Sequence, residues 1–71
     1  MTSRMSEVLA FIRQTPGATA PEIGRALGIG TDKARDAADA LYARYRYVKR
    51  VPSPFKGSPA RYYHEWMETP A

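Results

Sequence analysis

Thr19-Ala20-Pro21-Glu22-Ile23-Gly24-Arg25-Ala26-Leu27-Gly28-Ile29-Gly30-Thr31-Asp32-Lys33-Ala34-Arg35-Asp36-Ala37-Ala38-Asp39-Ala40-Leu41 is the stretch that decides how this chain folds. It opens on a capping box. The Thr19 hydroxyl can accept from the amide three residues on, while the Glu22 carboxylate reaches back to the cap amide. Pro21 is tolerated because first-turn amides have no helical partner. The helix that follows is short: Ile23 and Leu27 lie one turn apart, and Gly28 ends it by accepting a left-handed backbone. A second helix starts at or next to Thr31 and runs through Arg44 without a breaker. Ala34, Ala37, Ala38 and Leu41 form its predicted buried face, with Tyr45 just beyond.

A short helix, a glycine-containing turn of three residues and a longer helix make a helix-turn-helix layout. Two such helices cross steeply, so the first must offer a very small side chain at the contact, which Gly24 does. Ile23, Leu27, Ile29, Ala34 and Ala37 are predicted to fill the wedge between them.

Upstream, Met5, Val8, Leu9 and Ile12 repeat at helical spacing with Arg4, Glu7, Arg13 and Gln14 between them, an amphipathic helix. Thr2 or Ser3 can cap it, and Pro16-Gly17 ends it. Phe11 either widens its apolar stripe or faces a partner. Downstream the period changes. Tyr47 to Val51 reads as a strand, Pro52 to Pro59 as a loop of turn formers, and Ala60 to His64 as the returning strand. The expected fold is mainly α with a small β-hairpin, one domain over residues 1–65 and a C-terminal tail over 66–71 that holds Trp66 and Met67.

The segment from Thr19 to Ile29 resembles the second helix of the winged helix-turn-helix superfamily of bacterial, archaeal and phage DNA-binding proteins. Arg46-Tyr47-Val48 and Ala60-Arg61-Tyr62-Tyr63 resemble the two sides of its wing. The resemblance covers residues 5–64, and a lone domain of this size is similar to compact repressors and excisionases of phages and mobile elements. It implies a three-helix domain that binds double-stranded DNA and regulates transcription. Two features depart from the family pattern: Gly24 stands where alanine is usual, and the third helix carries Asp32, Asp36 and Asp39 where basic and amide side chains are typical.

Composition agrees with one small domain. At 71 residues the chain can bury only about 60% of its unfolded surface, and with no cysteine it has no disulfide or thiolate metal site to brace it. Residues 1–39 hold five basic and five acidic side chains, whereas residues 40–64 hold six basic ones and no acid. The net charge of +4 therefore originates in one segment, a one-sided field that attracts phosphate polyanions. No apolar run approaches the ~20 residues of a membrane span, and the N-terminus lacks a signal-peptide layout, so a cytoplasmic protein without a membrane partner is expected. His64 has neither a second histidine nor a cysteine to work with. No metal site, cofactor, small-molecule ligand or enzymatic activity is expected.

With Ala34, Ala38 and Leu41 turned inward, the third helix offers Thr31, Asp32, Lys33, Arg35 and Asp36 to the major groove. Lys33 or Arg35 would read guanine, and Asp32 or Asp36 would accept from a cytosine amino group. The competing expectation is a solvated face on which the aspartates favour the helix dipole and pair with Lys33 and Arg35. In the wing, Lys49, Arg50, Lys56 and Arg61 would lie along phosphates or in the minor groove, all on a common side with the third helix. The five tyrosines are expected to pack in the hairpin against the first helix rather than to stack on bases. A single small domain reads few base pairs, so doubling is expected, as tandem copies or as a homodimer through the first helix or the tail. A reading of a different class is a winged-helix adaptor that binds another protein through its acidic third helix and apolar tail.

Overall fold

Met5, Val8 and Ile12 put one buried edge on the first helix, α1 (Ser3–Gln14), with Leu9 and Phe11 partly buried beside them. The computed structural model describes residues 3–66. The expected Thr2 cap and the tail from Met67 onward lie outside that range. Ser3 falls within α1 itself.

At Gly17 the backbone takes φ +84 and turns into a strand that the sequence did not suggest, β1 (Ala18–Thr19). Two residues are too few to show a strand period, so only tertiary pairing reveals it. The capping box behind it is as expected. The Thr19 hydroxyl accepts from the Glu22 amide at 3.4 Å, and the Glu22 carboxylate accepts from the Thr19 amide at 3.0 Å. Thr19 thus both closes β1 and starts α2 (Ala20–Leu27), which ends at Gly28 with φ 69 in the left-handed region. After Gly28-Ile29-Gly30 comes α3 (Thr31–Ala43), with Arg44 as its C-cap. Ala34, Ala37, Ala38 and Leu41 are its buried residues, as the spacing predicts, and Tyr45 is partly buried against them.

Gly24 is required at the α2–α3 crossing. A Cβ there would come 2.9 Å from the Ile29 carbonyl oxygen and 3.3 Å from the backbone of Gly30 and Thr31. The turn is packed against the α2 backbone itself, which is why alanine does not stand at this position.

The hairpin consists of β2 (Val48–Val51) and β3 (Arg61–His64), each a residue shorter at its start than the sequence suggests. β3 is central, and the sheet order is β1-β3-β2, antiparallel throughout. The register pairs Arg50 with Tyr62 and Lys49 with Tyr63, while Ala18 opposes Tyr62 from the other side. Cross-strand partners share a face and successive residues alternate. Val48, Arg50, Tyr62 and His64 therefore lie on the face turned to the helices, and Lys49, Val51, Arg61, Tyr63 and Thr19 on the outer face. Tyr62 joins the core formed by Val8, Ile12, Ile23, Ala38 and Leu41. Tyr63 is equally well covered at 8% exposure, but on the other side of the sheet.

Between α3 and β2, Arg46 has φ 58, a left-handed backbone on a bulky residue. Such a conformation costs about 1–2 kcal/mol and persists only where its surroundings impose it. Here the Tyr47 amide donates to the Leu41 carbonyl at 2.9 Å, and the Tyr45 and Tyr47 rings stack with centroids 5.9 Å apart.

Candidate nucleic-acid interface

The side of α3 turned away from the core is fixed by its buried alanines. At about 100° per residue, Asp32 and Asp36 fall opposite the core, with Lys33 on one flank and Arg35 on the other. All four are exposed, and Thr31 at the start of the helix is half-buried. α3 starts at Gly30 without a side-chain cap, so its leading turn presents backbone amides beside these side chains. Arg35 Nη1 lies 3.6 Å from Asp32 Oδ1, in a pair whose aspartate side chain is 93% exposed. This is the intrahelical pairing that the sequence offered as the competing expectation for these charges. In water it is a weak contact that a phosphate or a base edge can displace.

Lys33 has a neighbour that the sequence did not single out. Together with Arg4, Met5, Asp36, Ala37 and Ala40 it lines a shallow groove between α1 and α3. Arg4 precedes the first core position of α1, and nothing in its local sequence marks it as a companion of Lys33. Only the docking of α1 on α3 brings the two cations together.

The third aspartate of α3 needs a correction. Asp39 is not part of a carboxylate row facing a partner. Its Oδ1 accepts a 2.6 Å hydrogen bond from the Tyr62 hydroxyl and lies 3.7 Å from Arg50 Nε. Burial first, and then the hydrogen bond to the Asp39 carboxylate, push the Tyr62 phenol up to about 12. The three side chains tie α3 to the inner face of the hairpin and neutralise one of the charges that seemed out of place.

The expectation of one cationic side for the whole hairpin also changes. Arg50 lies on the inner face, bound to Asp39 beside α3. Lys49 and Arg61 lie on the outer face, because strand alternation separates neighbours that the sequence sets next to each other. Arg61 Nη1 donates to the Gly17 carbonyl at 2.9 Å, which anchors it at the β1 edge. Nearby, the Thr19 hydrogen bonds, with Arg61 and Arg25 adding to them, hold the Glu22 carboxyl below the usual carboxylate range. Lys56 is exposed in the loop between β2 and β3. The structure therefore brings together Thr31, Asp32, Lys33, Arg35 and Asp36 on α3, with Arg50 alongside and Arg4 added, and it sets Lys49 and Arg61 apart from them.

Of the tyrosines, Tyr62 packs into the core as expected, Tyr63 is buried on the outer face of the sheet instead of against the first helix, and Tyr42 and Tyr47 are exposed. No described helix is long and apolar enough to cross a membrane.

No family model matches the sequence, and no curated protein matches it. Among solved structures, the chain is similar to the PcaV transcriptional regulator from Streptomyces coelicolor, determined in complex with its natural ligand, with a TM-score of 0.77 over 90% of this chain and 20% sequence identity. The chain spans 45% of the length of that protein. The likeness carries the fold: three helices and a three-stranded antiparallel sheet in a winged helix-turn-helix arrangement.

Proposed function

We propose that this domain binds double-stranded DNA, with α3 in the major groove and the hairpin against the backbone, and that it serves as a regulator of transcription of the compact repressor type. The observation that carries this reading is the outer edge of α3. Its polar side chains stand opposite the buried alanines, its leading turn is open, and Arg50 is held beside it by Asp39. Lys33, Arg35 and Arg50 supply donors for guanine edges and phosphates, and Asp32 and Asp36 supply acceptors suited to cytosine amino groups. Lys56 extends the contact along the hairpin loop. Lys49 and Arg61, on the outer face, reach phosphates only where the loop itself enters the minor groove. The similarity to a longer transcriptional regulator supports the same reading. Acting on DNA in more than one copy follows from the small site of a single domain.

Fluorescence anisotropy of a labelled random duplex at low and moderate salt tests the reading. Binding at low salt that weakens steeply as salt rises is expected, and no binding even at low salt refutes it. The exposed Asp32 and Asp36 favour a second reading, a docking face for a cationic protein partner. The double variant Asp32→Asn, Asp36→Asn separates the two. Removing two negative charges strengthens non-specific DNA binding under the first reading and abolishes partner binding under the second.

A further inference from the structure

The hairpin carries a second recessed surface, on the side of the sheet away from the helices. The loop after β2 arches over the outer face and leaves a cleft of about 710 Å³ between itself, the β1 edge and the start of α2. Prolines at 16, 52, 54 and 59 and Val51 give it apolar walls, Phe55 stands at its mouth, and Arg61 and Tyr63 lie along its floor. Tyr63 is 8% exposed, and among the described residues no hydrogen bond engages its hydroxyl. A buried phenol with an unengaged hydroxyl facing a cleft is an open donor. The Glu22 carboxylate at the rim is already occupied by Thr19. The guanidinium of Arg61 spends one nitrogen on Gly17 and keeps the rest.

The opposite end of the same strand carries a group with matching chemistry. Trp66 is 80% exposed and rests edge-on against His64, with ring centroids 4.8 Å apart. In the sequence it is bracketed by Glu65 and Glu68, in the stretch Glu65-Trp66-Met67-Glu68 that follows a segment without any acid. Trp66 and Phe55, at 73%, are the most exposed large apolar side chains among the described residues. They stand at opposite ends of β3, separated by about 13 Å of strand. With its ring held on His64, Trp66 does not reach the cleft of its own chain.

The geometry points to a head-to-tail contact between copies of this chain, in which Trp66 of one copy enters the Tyr63–Arg61 cleft of the next. The indole fills the apolar pocket between the prolines and Phe55. Glu65 beside it meets Arg61 and the Tyr63 hydroxyl. One such contact covers Trp66 of one copy and Phe55 of the next at once. Because the Trp66 insert and the cleft stand at opposite ends of β3, the contact is heterologous and leaves a free end at each side, so copies add in series rather than closing as a pair. A single side chain in a cleft makes a small interface, so the association is weak and concentration-dependent. This inference does not depend on DNA binding and is tested without DNA.

The chain has one tryptophan, so its intrinsic emission reports this contact directly. Emission and acrylamide quenching are recorded over a concentration series, with sedimentation velocity on the same samples. A blue shift, reduced quenching and masses passing beyond two copies are expected as concentration rises. Trp66→Ala removes the insert, and Ser58→Phe, an exposed position in the cleft wall, fills the receptor; urea midpoints confirm that both fold. Each variant alone is expected to associate at least about tenfold more weakly than the unmodified chain. Mixed in equal amounts, they are expected to form pairs and stop there, since each lacks one of the two surfaces. Unchanged emission with a single-copy mass at the highest concentration overturns the inference. So does a Trp66→Ala chain that associates as the unmodified one does, or self-association that halts at two copies.

Discussion

Removing either partner of the Asp39–Tyr62 hydrogen bond tests how α3 is joined to the hairpin. At 2.6 Å the bond lies in the range of charge-assisted O–H···O⁻ contacts, which contribute more than neutral ones. Tyr62 is 2% exposed, whereas the Asp39 side chain is 44% exposed and solvent partly screens its charge. A hydrogen bond to a charged group contributes about 1.5–3 kcal/mol, and the screening places this one at the lower end, about 1.5–2 kcal/mol. The Arg50 contact, exposed and at 3.7 Å, adds a few tenths to about 1 kcal/mol. Tyr62→Phe removes the first contribution alone, and Asp39→Ala removes both. At about 4–8 °C per kcal/mol for a domain of this size, Tyr62→Phe should lower Tm by roughly 6–16 °C and Asp39→Ala by somewhat more. Urea unfolding of both single variants and the double variant isolates the coupling, expected at about 1.5 kcal/mol. A coupling below about 0.3 kcal/mol, within the error of additivity, would refute the argument that this pair joins the two elements. The pH dependence gives an independent check. The folded-state value of the Tyr62 phenol, about 12, lies above its ordinary 10, so folding holds the proton on. The corresponding stability is complete below pH 10 and is lost as pH rises towards 12. In Asp39→Ala the loss still begins near pH 10, where the unfolded phenol titrates, but it should be smaller and end at lower pH, because one of the causes of the raised value has been removed.

Other positions give equally definite expectations. Gly24→Ala gains about 1 kcal/mol of helix propensity but drives a Cβ to within 2.9 Å of the Ile29 carbonyl, an overpacking cost of about 1–3 kcal/mol. The net effect on the urea midpoint should be a loss, and a midpoint above that of the unmodified chain would show that the turn yields freely. Thr19→Ala removes the capping box and should cost about 1 kcal/mol in the same assay. Since the folded Glu22 carboxyl lies below its ordinary 4.5, its share of stability is present above that pH and is lost as pH falls through the lowered value. Thr19→Ala should flatten that acid limb. Lys33→Ala and Lys56→Ala should each reduce the salt dependence of duplex binding by about 0.9 in log–log slope, and a slope that neither changes would remove both from the phosphate contacts.

Much of the fold was legible locally. The capping box at Thr19, the left-handed stop at Gly28, the alanine face of α3 and the amphipathic stripe of α1 each depend on residues within a few positions of one another. Such short-range geometry is written directly in spacing and side-chain type. β1 was not legible, because a strand of two residues exists only through its pairing with β3. The candidate interface was legible in part, for the same reason. Helical periodicity alone turns Thr31, Asp32, Lys33, Arg35 and Asp36 outward. It says nothing of the elements that dock beside them, so Arg4 was missed and Asp39 was assigned to the wrong neighbours.

What the sequence determined by itself is the set of elements and the segment that carries the excess positive charge, because periodicity, caps and composition act along the chain. What only the tertiary structure decided is which charges face the same way. Strand alternation sends Arg50 inward and Lys49 and Arg61 outward, and helix docking gives Asp39 to Tyr62 and Lys33 to Arg4. These are contacts across tens of residues of chain, fixed by the packing of a shared core and invisible to any local pattern.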